Sequence, residues 1–125
     1  MKLDHEFVRS FLLFVESSKD PLGPSATESI NFCKEYLKSI DELGYTEELL
    51  FQAGFISEKP GKSTDGYNSV APGNLTWKGT EYLDNIRDNK IWKKTKNTIF
   101  SKVGSASLSI FSSVSAKLIE DQFKP

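Results

Sequence analysis

The chain of 125 residues has one cysteine, one histidine and one methionine. A lone Cys33 excludes an internal disulfide framework and fits a reducing cytosol. His5 is the only histidine, and no catalytic or metal-binding signature appears. A Gly-x-Ser-x-Gly elbow and a Gly-rich phosphate loop followed by Lys are also missing. No run approaches the roughly 20 apolar residues of a spanning helix. The opening MKLDHEFVRS places acids where a secretion signal needs apolar residues. These absences lead to the expectation of a cytoplasmic protein that is not an enzyme and uses no cofactor or metal.

The composition present is that of a packed domain. Hydrophobic residues make up 38%, and nine Phe can fill a core. The net charge of -1 conceals an asymmetry. Residues 1–89 carry nine Lys or Arg against fifteen Asp or Glu, whereas residues 90–119 carry six lysines and no acid. The expected division is therefore an acidic domain over 1–89, followed by a basic segment and helix over 90–125.

Asp4 is placed to cap a first helix bearing Phe7, Val8, Phe11, Leu12 and Val15 at helical spacing. Pro21, Gly23 and Pro24 break it. Ser25 and Glu28 have capping-box spacing and open a second helix. Its stripe of Ile30, Cys33, Leu37 and Ile40 predicts a helix that stops at Gly44. Thr46 then caps a short third helix, Glu47 to Ala53, stopped by Gly54. Phe55-Ile56 leads into a strand. Glu58 to Gly73 reads as a long hairpin tip, and Asn68 to Leu75 as a return strand weakened by Pro72.

Leu75 to Lys96, LTWKGTEYLDNIRDNKIWKKTK, is the most informative run. Thr76 caps a helix from Trp77 to about Arg87, with Trp77, Leu83 and Ile86 expected on its buried side. A lysine-rich segment around Trp92 follows. Through LTW.G.E.LD.IRD..IW.K.K the chain resembles a family of small bacterial and phage proteins catalogued as a domain of unknown function. That resemblance implies a winged-helix-like fold and a phage or mobile-element context. It also implies one longer third helix running into the QAGFI end, where Gly44 here reads as an interruption. From Phe100 onward, a single amphipathic helix is expected, with a stripe of Phe100, Val103, Ser107, Ile110 or Phe111, Val114 and Leu118. The fold class expected is mainly α (α+β): a winged-helix-like domain with a two-stranded β-hairpin and a C-terminal amphipathic helix.

Two surfaces are candidates for function. Lys90, Lys93, Lys94, Lys96 and Lys102, interleaved with Trp92, are cations that contact nucleic acid or an anionic surface if they are free. Against this, the lysines fall on several faces in sequence, and Trp92 reads as a packing residue. Phe100, Val103, Ile110, Phe111, Val114 and Leu118 are the residues expected to supply an oligomer or partner interface. The third helix, with Glu47 and Glu48 and no cation, is ill suited to phosphates. The function expected is protein–protein binding and self-association as a homo-oligomer. A transcriptional regulator using the basic arm is the first alternative. An effector docking its last helix on membranes is the second, less favoured because serines dilute the apolar face.

Overall fold

The structure, a computed structural model, describes residues 1–125. The chain forms two compact units, Met1–Thr80 and Glu81–Pro125.

In the first unit, α1 (His5–Ser17) begins where the Asp4 carboxylate accepts the Phe7 N–H at 3.2 Å. Phe7, Val8, Phe11, Leu12 and Val15 share one face and are all buried, as their spacing predicts. α2 (Ala26–Glu35) opens with the expected capping box: the Ser25 hydroxyl accepts the Glu28 N–H, and the Glu28 carboxylate accepts the Ser25 N–H. Cys33 is buried on this helix.

The stripe expected to continue through Leu37 and Ile40 does not do so. α2 ends at Glu35. The Lys38 N–H bonds back to the Cys33 carbonyl and the Leu37 N–H to that of Lys34. This Schellman pattern places Leu37 at φ 57°, with its side chain 92% exposed. A second capping box follows at once. Ser39 accepts the Glu42 N–H while Glu42 accepts that of Ser39, opening α3 (Ile40–Gln52).

Gly44 is therefore inside a helix and does not end one, and Thr46 caps nothing. The Thr46 hydroxyl donates to the Glu42 carbonyl at 2.8 Å within the helix. Tertiary packing explains the glycine. A Cβ at residue 44 would overlap the Tyr67 ring, so the site needs a residue with no side chain. The third helix is thus the single longer one, ended by Gly54 at φ 80°.

β1 (Gly61–Ser63) and β2 (Gly66–Ser69) pair antiparallel, with a register irregularity between Gly61 and Lys62. The ladder lies inside the segment expected to be a hairpin tip and overlaps the expected return strand, Asn68 to Leu75, only at Asn68 and Ser69. Ile56 and Leu75, expected within longer strands, form an isolated bridge. Tyr67 holds the hairpin to α3. Its hydroxyl donates to the Glu48 carboxylate, and its N–H lies 3.4 Å from Asp41 Oδ1. Lys62 Nζ stands 3.6 Å from Glu48 and 5.3 Å from the Tyr67 ring centre.

α4 (Trp77–Ile86) begins in the first unit. The Thr76 hydroxyl accepts the Gly79 N–H at 3.1 Å and donates to the Gly54 carbonyl. A Cβ on Gly79 would run into the Phe55 carbonyl, which accounts for a glycine in the first turn of the helix.

In the second unit, Tyr82, Leu83 and Ile86 are buried along the remainder of α4. Asp88 accepts the Ile91 N–H at 2.9 Å and opens α5 (Asn89–Phe100). The single helix expected beyond Phe100 is in fact two. α5 stops at Phe100, and α6 (Leu108–Asp121) starts after the Ser107 hydroxyl accepts the Ile110 N–H at 3.2 Å. Gly104 and the flanking serines are poor helix formers, and Ser107 competes for backbone as a cap. The molecule is mainly helical α+β, six helices with a two-stranded antiparallel hairpin between the third and fourth, which is a winged-helix-like order.

Candidate functional site

α5 divides its residues between two faces. Ile91, Trp92, Thr95 and Ile99 are buried. Lys90, Lys93, Lys94 and Asn97 are exposed and advance by three, one and three residues, which places them along one ridge. Lys96 lies on the flank, half-buried, with Nζ 5.7 Å from the Trp92 ring centre. Lys102 is exposed beyond the helix end. The structure thus gathers Lys90, Lys93 and Lys94 and leaves Lys96 and Lys102 outside the group.

The carboxylates nearest the ridge in sequence are already engaged. Asp84 pairs with Arg87 at 2.8 Å, and Asp88 caps the helix.

The buried face of α5 packs on α6. Trp92 and Phe111 have ring centres 5.4 Å apart, and Phe100 meets Phe111 edge-on at 5.9 Å. A polar pair crosses this seam: the Thr95 and Ser115 hydroxyls are 2.8 Å apart, both fully buried. Asn85 donates to the Ser112 hydroxyl at 3.0 Å.

The six residues expected to form one interface separate accordingly. Phe111 is fully buried inside the unit, and Val114 and Leu118 are half-buried. Phe100, Val103 and Ile110 are 49%, 49% and 47% exposed, clustered about the α5–α6 connection in sequence. Interrupting the helix removed the continuous stripe but left these three apolar side chains facing solvent. Gly104 has nothing within 4 Å of where a Cβ would stand, so no close backbone contact is built there.

Sequence patterning missed several features of the first unit. Trp77 is 79% exposed, not core, because the first turn of α4 buries Gly79 instead. Glu47 and Glu48, adjacent on α3, have opposite environments. Glu48 is held below the ordinary carboxylate range by the Tyr67 hydroxyl and then by Lys62. Glu47 is fully buried with neither carboxyl oxygen hydrogen-bonded, and burial pushes its pKa up to about 9. α3 therefore does not present the pair of free carboxylates that the sequence suggests. Burial also raises the Cys33 thiol, whose Sγ lies 3.5 Å from the Lys38 carbonyl, so the cysteine is packed and poorly nucleophilic. His5 is half-buried at the start of α1.

No group of three or more His, Cys, Asp or Glu side chains is placed to hold a metal ion. No helix is long and apolar enough to cross a membrane.

Comparison with known proteins extends the resemblance noted from the sequence. The model of a family described as hypothetical protein DUF2513 matches residues 2–105. An uncharacterized protein of Haemophilus influenzae is 30% identical over 119 residues, covering 95% of this chain and 96% of its own. No solved structure matches.

Proposed function

The chain belongs to the DUF2513 family of hypothetical proteins, and we propose that it works without catalysis, by self-association and protein–protein binding through its second unit. The observation that carries this reading is the exposure of Phe100, Val103 and Ile110, each near half, around the turn between α5 and α6. Single exposed apolar residues are ordinary on a soluble protein, but three beside one connection form a patch that gains by being covered. A second copy is the simplest cover, since a two-fold contact uses the same patch on both partners. Val114 and Leu118, half-buried along α6, extend the patch.

In this reading the protein is a small accessory protein of bacteria or their phages that acts by binding another protein. The bacterial relative is in keeping with that setting. Its winged-helix-like order of elements serves as a scaffold, with the third helix engaged by its own hairpin through Tyr67 and Glu48.

Light scattering at micromolar concentration tests the proposal. A mass above that of one chain is expected, returning to a monomer in Ile110→Asp with helical circular dichroism retained. A monomeric mass for the unaltered chain removes the self-association reading.

A further inference from the structure

The lysines of α5 read in sequence as scattered charges, and the fold sorts them. Lys90, Lys93 and Lys94 stand with Asn97 on the exposed side of a helix whose other side is buried. From Lys90 to Lys94 the rise along the axis is about 6 Å, and to Asn97 about 10 Å. Ser101, the C-cap, lies on the same side one turn further and is exposed.

Lys90, Lys93, Lys94 and Asn97 can donate hydrogen bonds, the Ser101 hydroxyl donates to the Thr98 carbonyl at 2.9 Å, and no side chain on this line is an acid or a large apolar group. The two nearest carboxylates in sequence, Asp84 and Asp88, are committed to Arg87 and to the helix N-terminus. Phe100, at the edge of this side, meets Phe111 edge-on and is 49% exposed.

We propose that this ridge is a binding site for the phosphate backbone of a nucleic acid duplex. The chemistry fits. Phosphate contacts come from lysines supported by neutral donors such as Asn97, and they require neither a pocket nor an aromatic platform. Of the two large aromatics of the helix, Trp92 is buried and unavailable to stack on an unpaired base, and Phe100, at the last turn, meets Phe111 edge-on.

A duplex is favoured over an anionic membrane because a helix lying on lipid needs apolar side chains all along the inserted face, and here Phe100, at the last turn, is the one apolar side chain beside the ridge. Without side chains poised to read base edges, the ridge binds with little sequence preference. The inference stands on α5 alone and does not depend on self-association, although a dimer would present two ridges and bind more tightly.

Fluorescence anisotropy of a labelled mixed-sequence duplex, titrated with the full chain as salt is raised, provides the test. Displacing counterions with three cations gives a log–log slope of about -3, so binding falls steeply toward physiological salt. Lys90→Glu, Lys93→Glu and Lys94→Glu together should weaken low-salt binding at least about tenfold, while Lys→Arg at the same positions retains it. A control triple change in the first unit, Lys19→Glu, Lys34→Glu and Lys59→Glu, makes the same alteration in net charge and should leave binding within about twofold.

Equal losses from both triple variants would mean that net charge, not the ridge, governs binding, and would overturn the proposal. So would the absence of duplex binding at low salt, or binding only to phosphatidylcholine vesicles containing phosphatidylserine. Ile110→Asp separates the two readings. A monomer that still binds duplex keeps this site and leaves the self-association reading to be judged on mass alone.

Discussion

Glu47 is fully buried, and neither of its carboxyl oxygens has a hydrogen-bonding partner. Burial therefore keeps it protonated, with a pKa of about 9 against an ordinary 4.5. The stability linked to this group is fully present below about pH 4.5 and is lost as pH rises through about 9, by at most about 1.4 kcal/mol per pH unit. Urea denaturation at about pH 6 and about pH 8 should show that decline in the unaltered chain and a flatter profile in Glu47→Gln. Leu37 is strained differently: it holds φ 57°, a conformation that a side chain with a Cβ disfavours by roughly 1–2 kcal/mol. Because its side chain is exposed, Leu37→Gly should raise stability by about 1 kcal/mol, read as a higher denaturation midpoint at unchanged slope. Trp77→Ala, at an exposed position, should shift stability by less than about 0.5 kcal/mol, where a buried tryptophan would cost several times more. None of these three environments is written in local sequence. Glu47 reads as a surface acid, Leu37 as part of an apolar stripe and Trp77 as core, because side-chain type reports preference and not the neighbours that burial supplies.

At the scale of elements, the starts of α1, α2 and α4 and the ends of α1, α3 and α4 fall where expected, whereas the α2–α3 break and the starts of α5 and α6 do not. The Asp4, Ser25 and Thr76 caps act at the positions their spacing predicts, since capping is a contact between residues two or three apart. The α2–α3 break was missed because an apolar stripe across Leu37 and Ile40 outweighed the Ser39–Glu42 box lying within it. Gly44 misled for a related reason: its neighbour is Tyr67, which lies far along the chain. In the second unit, the α5–α6 seam carries the Thr95–Ser115 hydroxyl pair, buried amid apolar packing. Thr95→Val strands the Ser115 hydroxyl and should cost about 1–3 kcal/mol, whereas adding Ser115→Ala removes the orphan and should recover part of that loss. A double-mutant cycle by thermal denaturation measures the coupling. Additive losses would show that the two hydroxyls act independently.

Across the whole molecule, charge and apolar exposure make opposite demands on salt. The acids are concentrated in residues 1–89, and six lysines without an acid occupy residues 90–119. An assembly held by Phe100, Val103 and Ile110 has little Coulombic character. Its mass should therefore be unchanged between about 0.1 M and about 1 M salt, where screening shortens from about 10 Å to about 3 Å. Sedimentation at the two salt concentrations checks this, and dissociation at high salt would point to a charged contact instead. The sequence by itself determined the helical α+β class, the starts of α1, α2 and α4, the core face of α1 and the concentration of positive charge after residue 89. These depend on periodicity, capping and composition, which act over a few residues or over the chain as a sum. Only the tertiary structure decided that Gly44 lies inside a helix, that Glu47 is neutral while Glu48 is paired, and that three lysines share one free ridge. Each of those outcomes turns on which surface is covered, and covering is done by residues that local sequence does not bring together.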